Sequence, residues 1–325
     1  MLLLSESDVR TLLPMGDLIG AMREALAGFS TGRAEQPLRT VLEVAGAKAF
    51  FGVMPAYLPG SGALGTKLVT VFGSNPARGL PSHLATIVLL DDETGELRAV
   101  MDGRYITEAR TAAVSAVSTD LLARPEASRL AIVGSGVQAH SHLEALALVR
   151  TLREVRVWSP TPSHREAFAG DAARRTGLKI ETAASAEAAV ADADLVALVT
   201  ASRTPVVRSE WIADGAHVCA VGACRPDQRE MDGALVARAR LFVDSRQGAL
   251  AEAGDIVLPM AEGIVTADHI AAEIGEVAAG LAEGRRTAAE VTVFKSLGMA
   301  VEDVAAAHLA LVRAAERGLG RGATL

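Results

Sequence analysis

Leu130–Ala139 reads LAIVGSGVQA. Its unbroken apolar run is the pattern of a strand buried on both faces, and it leads into Gly134, Gly136 and Ala139, the G-x-G-x-x-A spacing of a dinucleotide-binding turn. Gly134 permits the tight turn, Gly136 lets backbone approach a pyrophosphate, and Ala139 lets the following helix pack closely. The amides that open this helix then point at the phosphates. Alone, the spacing also fits a structural glycine turn. The surrounding pattern favours a cofactor: a helix from Val137, VRVW, a helix around Arg165, DLVALVT, AHVCAV and LFVD. Apolar strands alternating with helices predict a parallel sheet covered on both faces, a doubly wound α/β domain. The AASAEAAVADAD tract reads as helix.

About 20 residues beyond the glycines, an acidic side chain would bond the ribose 2′-hydroxyl of NAD. Here VRVW ends in Ser159, Pro160 and Thr161, with no carboxylate. Ser159, Thr161, Ser163 and Arg165 suit a 2′-phosphate, which predicts NADPH, with NADH as the alternative. The other account of SPTPSH is a turn followed by a helix cap.

Upstream, Leu18, Met22, Leu26 and Phe29 recur at helical spacing between Pro14 and Ser30, with Gly32 just beyond. The segments PLRTVLEV, KAFFGVMPAYL, LGTKLVTVFG, HLATIVLLDD and LRAVMDG then read as strands of an antiparallel or mixed sheet, with a hairpin turn at 92–95. Thr107 is the expected cap of a helix running to Leu122, and ARPEAS after it reads as a domain linker. A last helix is expected from Gly298 through Val312, either completing the second domain or returning to the first.

At 325 residues, half of them hydrophobic and 22% charged, the chain has the length of two folded domains. A net charge of −7 with scattered basic residues offers no footprint for nucleic acid. The longest uncharged stretch is broken by glycine and proline, so no membrane span is expected. MLLLSESDVR lacks the form of a secretory signal, which makes the cytoplasm the expected location. Cys219 and Cys224 cannot by themselves build a structural zinc site, and His140 and His142 point to different sides of a helix, so no metal is expected. No base is expected beside either thiol.

Lysine occurs only at 48, 67, 179 and 295. Lys67 shares a strand face with Val69 and Val71, either exposed or projecting from an apolar wall where burial would lower its pKa. Arg39 carries the same ambiguity. Arg110 falls in the expected first turn of the Thr107 helix, where the macrodipole disfavours a cation unless an anion answers it. That anion is either Glu108 or a substrate carboxylate gripped by a two-pronged bond. Glu252 and Asp255 follow the LFVD strand, suited to acid or base work or to a solvated helix end.

Taken together, MPAYLPGSGALGTKLVTVF, DGRYITEARTAAVSA, GSGVQAHSHLEAL, VGACRPDQREMD, FVDSRQGALAEAGDI and VFKSLGMAVEDVAAA resemble the ornithine cyclodeaminase and mu-crystallin family along nearly the whole chain. The resemblance implies a homodimer in which residues 1–120 and 298–325 form an α+β substrate-binding and dimerisation domain, with a Rossmann NAD(P)-binding domain, residues 121–297, inserted into it. It places Arg39, Lys67 and Arg110 at the substrate carboxylate and catalytic positions, with Met54 and His83 beside them. Thr111, Gly134, Ser135, Gly136, Val137, Gln138, Ser159, Thr161, Arg165 and Thr200 fall to the cofactor, although Pro160 stands where NADP-using members commonly carry arginine. Cys224 occupies a substrate position that is aspartate in ornithine cyclodeaminases and alanine dehydrogenases and serine in mu-crystallin. In the mu-crystallin subgroup Glu252 matches a proposed catalytic glutamate. The implied activity is NAD(P)H-dependent reduction of cyclic imino acids, pyrroline-2-carboxylate or piperideine-2-carboxylate, to proline or pipecolate. Ornithine cyclodeamination, alanine dehydrogenation, and ligand binding with little turnover are the alternatives.

Overall fold

The computed structural model describes residues 1–44, 46 and 49–324; Lys48, which opens one of the expected strands, lies outside them. The chain divides into one unit made of Met1–Arg110 and Gly298–Leu325, and a second made of Thr111–Leu297. The division falls inside helix Arg104–Leu122.

The first unit is built on a seven-stranded sheet. In spatial order its strands are Arg321–Gly322, Leu2–Leu4, Leu97–Asp102, His83–Leu90, Ala63–Val71, Ala49–Leu58 and Thr40–Val44. Neighbours are antiparallel except Leu2–Leu4 beside Leu97–Asp102. Helix Ala300–Arg317 lies on the central strands and packs against helix Met15–Ser30, which buries Leu18, Met22 and Leu26. Side chains alternate across a strand. In Ala63–Val71 the buried set is Ala63, Gly65 and Lys67, so Lys67 occupies a core-facing position, contrary to the exposed alternative. Met54, Lys67, Ile87 and Met101 form one cross-strand row on that face. On the opposite face, Leu42, Phe51, Thr70 and Leu84 form one row and Thr40, Val53, Leu68 and Thr86 the next; Leu42 is 61% and Leu84 41% exposed.

Three local expectations are corrected. Arg39 precedes strand Thr40–Val44 rather than lying within it. The helix expected to start at Thr107 starts at Arg104; Asp102 Oδ1 accepts from the Tyr105 amide at 3.1 Å, while Thr107 turns its hydroxyl back onto the Gly103 carbonyl at 2.8 Å. Aspartate serves as a helix-start acceptor as well as threonine does, and here it comes first in the chain. Arg110 is therefore in the second turn. Within AASAEAAVADAD only Ala186–Val190 is helical, because Asp192 adopts a left-handed φ of 57° that ends the turn before strand Leu195–Leu198.

The second unit carries eight parallel strands in the order Ile270–Glu273, Arg240–Val243, Thr292–Lys295, His217–Ala220, Leu195–Leu198, Arg129–Val133, Glu154–Trp158 and Ile180–Thr182. The order reverses between Arg129–Val133 and Leu195–Leu198, and ligands of doubly wound sheets bind at the carboxyl ends of such a pair. Among the described residues no helix is long and apolar enough to cross a membrane.

Candidate active site

In the first unit, three cations converge on the turn that opens helix Ala300–Arg317. Lys67, 2% exposed, meets Asp303 through its ammonium and Oδ2. Arg110 donates from Nε to Asp303 Oδ1 and from Nη1 to Glu302 Oε2, each at 2.8 Å. Arg39 donates from Nη2 to the Gly298 carbonyl at 3.1 Å. Glu302 Oε2 also accepts the Met299 amide at 3.1 Å, and both carboxylates lie where the helix dipole favours negative charge. This acidic pair answers Arg110; Glu108, one of the two anions considered for it, lies 3.6 Å from Arg10.

Gly298 explains how the guanidinium fits. Its φ is +79°, and a Cβ built there would stand 2.2 Å from Arg110 Nη1, so any side chain would expel the arginine as well as strain the backbone.

Burial on this scale forces the charges to answer one another. Lys67 and Arg110 are answered by Glu302 and Asp303, and Arg39 joins them at the Gly298 carbonyl. Desolvation lowers the Lys67 pKa to about 8 despite Asp303, with Arg110 and Arg39 adding to the fall. Asp303 moves the other way: burial opposes its charge, but Arg110 and Lys67 together hold it below the usual carboxylate range. The pair is uneven because one carboxylate serves two cations. His83 faces the same cluster; burial, then Lys67 and Arg110, push it down to about 4, so it is neutral at pH 7. Met54 is buried and directly opposite Lys67 in the sheet.

In the second unit, the glycine turn sits at the strand-order reversal. Gly134 has φ +119°, and a Cβ there would approach the Val199 carbonyl to 2.7 Å, so the two strand ends close up only around glycine. Around Gly136, the N-cap of helix Val137–Val149, a Cβ would meet nothing within 4 Å. No side chain caps this helix, and Gln138 Oε1 in its first turn is buried without a hydrogen-bond partner. Open amides at a helix start fit a dinucleotide pyrophosphate, while the orphaned Gln138 Oε1, an acceptor, suits a hydroxyl donor rather than a phosphate oxygen. Gly134→Ala should cost ~1–3 kcal/mol in strain at this turn, read as weaker NAD(P)H binding in a fluorescence titration.

Ser135 Oγ donates to Ser159 Oγ at 2.9 Å, and Arg165 Nη1 donates to the Ser159 carbonyl at 2.9 Å. Thr161 is the N-cap of helix Pro162–Thr176 without a side-chain bond to it, and Thr111 is buried. The Thr200 amide and hydroxyl donate to Glu230 Oε1 at 2.6 and 2.8 Å, and the Gly222 amide donates to Oε2 at 2.6 Å, so one buried carboxylate ties the loops after two neighbouring strands. Beneath it, Asp255 Oδ1 accepts the amides of Glu230 and Met231, while Oδ2 stands 3.0 Å from Lys295 Nζ. Asp255 is thus a buried structural acceptor rather than an acid or base at a solvated helix end. Burial works against the Lys295 charge, but Asp255, Cys224 and Glu230 raise its pKa overall. Cys224 is half-buried, its thiol donating to the Val221 carbonyl at 3.2 Å, and Glu252 closes helix Arg246–Glu252. Cys219 does have a neighbouring imidazole, His217 Nε2 at 3.5 Å, contrary to expectation. Burial raises that thiol and drops His217 to about 3, leaving both neutral.

A family model described as the ornithine cyclodeaminase/mu-crystallin family matches residues 1–318. The chain belongs to this family. Ketimine reductase mu-crystallin of Macropus fuliginosus is 43% identical over 313 residues, 94% of each chain. The solved Δ1-pyrroline-2-carboxylate reductase of Thermococcus litoralis, in complex with NADH and L-proline, is 40% identical with a TM-score of 0.97, covering 99% of this chain and 100% of its own. An archaeal alanine dehydrogenase dimer with bound NAD is 33% identical with a TM-score of 0.94, covering 99% and 98%.

For a member of the ornithine cyclodeaminase/mu-crystallin family, the residues that sequence reasoning missed are Gly298, Glu302 and Asp303 in the first unit and Glu230 and Lys295 in the second. A signal existed for the acidic pair: Glu302 and Asp303 stand side by side in the otherwise apolar run AVEDVAAA. Lys295, one of four lysines, ends the apolar run VTVF and carried a similar signal.

Proposed function

We propose that the protein reduces the C=N bond of cyclic 2-imino acids, Δ1-pyrroline-2-carboxylate or the six-membered piperideine-2-carboxylate, with NAD(P)H. The observation that carries this is the convergence of half-buried Arg39 with buried Lys67 and Arg110 on one turn, a set of cations suited to a substrate carboxylate. The relatives that act on ketimines and on pyrroline-2-carboxylate support the same substrate class.

Arg39 and Arg110 orient the carboxylate, so that the C=N carbon is presented in one pose and the reaction becomes effectively unimolecular. The reduced nicotinamide supplies the hydride. Lys67 holds a proton at the imine nitrogen, which matters because a neutral imine is a poor hydride acceptor. Glu252 steadies the positive charge that protonation creates. Ser159 and Arg165 take the ribose end, favouring NADPH over NADH, and Thr111, Ser135, Val137, Gln138, Thr161 and Thr200 complete the cofactor contacts. Cys224 offers no carboxylate for a substrate ammonium, which disfavours ornithine cyclodeamination.

Spectrophotometric loss of the nicotinamide band with pyrroline-2-carboxylate, run with NADH and NADPH, tests this assignment. Ammonia release from ornithine without added cofactor, and no imine reduction, would overturn it.

A homodimer belongs to the same proposal. The half-exposed apolar rows through Phe51 and Val53, with Leu42 and Leu84 exposed, form a sheet face that a second copy would cover, and the alanine dehydrogenase relative is a dimer. Light scattering should give twice the chain mass, and Val53→Asp should shift it toward monomer.

A further inference from the structure

We propose that Asp303 is a positioning residue of imine reduction: its one carboxylate clamps Lys67 and Arg110 together, keeping the lysine protonated while fixing the guanidinium edge. This rests on the reductase reading above and adds a residue, a reason and a pH signature to it.

The geometry assigns Asp303 two tasks. Oδ1 takes Arg110 Nε at 2.8 Å, and Oδ2 meets the Lys67 ammonium. Glu302 Oε2 takes the Nη1 edge of Arg110 and the Met299 amide. Asp303 is fully buried, away from bulk solvent. The remaining charged or titratable groups facing Lys67 are Arg110 from helix Arg104–Leu122, Arg39 from the segment before the edge strand, and His83 from the neighbouring strand. The two arginines push the lysine toward neutrality, His83 is neutral, and desolvation pushes the same way; Asp303 pulls it back toward the ammonium. A protonated Lys67 near neutral pH is therefore the work of Asp303.

Asp303→Asn keeps size and one acceptor but removes the charge. With the upward pull gone, the Lys67 pKa falls below about 8. If the ammonium is the active form, kcat/KM declines as pH rises through that value, and in the variant the decline moves to lower pH by at least one unit. Titration of the substrate is common to both proteins and cannot move between them. Glu302→Gln, by contrast, weakens the hold on Arg110 Nη1 and leaves Asp303 on Lys67: KM rises severalfold and the pH limb stays.

A readout apart from turnover comes from the four lysines of the chain. Protein carrying 13C at the lysine ε-carbon gives few signals, Lys67 assigned through Lys67→Arg, and its titration midpoint should drop by at least one unit in Asp303→Asn. If the wild-type enzyme does not reduce pyrroline-2-carboxylate, the reductase reading fails. If it does, and neither the limb nor the midpoint moves, Asp303 is only structural and the inference fails. Should Asp303→Asn not fold, Asp303→Glu takes its place: a displaced carboxylate shifts the midpoint, and an unchanged midpoint overturns the inference.

Discussion

Lys67→Met is expected to lower kcat/KM for pyrroline-2-carboxylate about 10²–10⁴-fold, the range a positioned proton donor contributes. Methionine fills similar volume without polar hydrogens, so the core-facing slot opposite Met54 stays packed while the proton is lost. The sign of the pH dependence follows from the same group. Burial puts the lysine near 8, so at neutral pH most molecules carry the ammonium, and wild-type kcat/KM should be high below that pH and fall above it. In the variant the limb disappears, leaving a flat, low profile. Cofactor affinity should be retained, because the glycine turn belongs to the other unit. A fluorescence titration with NADPH beside the steady-state assay separates the two effects. A variant within threefold of wild type would remove Lys67 from the chemistry.

Lys295→Met is expected to have the largest effect on stability. Lys295 and Asp255 are both fully buried and 3.0 Å apart, Lys295 ending the strand that pairs with His217–Ala220. Removing the ammonium leaves Asp255 with only the amides of Glu230 and Met231 to answer its charge, and a buried ion stripped of its counterion costs ~3–5 kcal/mol. Thermal denaturation should register a drop of roughly 5 °C for a chain of this size. Neutralising both members, Lys295→Met with Asp255→Asn, should recover part of the loss, because a pair replaced by uncharged groups is not penalised as a half-pair is. Loss equal to the sum of the single variants would mean the two side chains do not interact.

What could be read from the sequence divides along the same physical line as local and distant interactions. The Gly134 turn was legible because strand, turn and helix start are neighbours in sequence, and the spacing itself encodes the close approach of Gly134 to a second strand end. The strands of the first unit were legible from alternation. That Lys67 faces inward was not, because a period of two says which residues share a face without saying which face is covered. The partners of Arg110 were not legible either: Glu302 and Asp303 lie 192 and 193 residues away, while the neighbouring Glu108 offered a local answer that tertiary structure overrode. The start of its helix was misplaced for the converse reason, since Asp102 and Thr107 carry competing local signals five residues apart and only the backbone decides between them. Family resemblance groups Arg39, Lys67 and Arg110 at one expected site, yet it leaves unsaid what holds them.

The first unit is written in two pieces, and its cation cluster spans the gap: the bond from Arg39 to Gly298 closes a loop of 259 residues. During synthesis the ribosome must therefore complete the whole intervening unit before either acidic residue of the final helix exists. Until then Arg39, Lys67 and Arg110 have no anions to neutralise them, and the sheet lacks the helix that should cover it. The newborn amino-terminal segment therefore leaves the ribosome with the apolar face of its sheet uncovered until the last helix arrives.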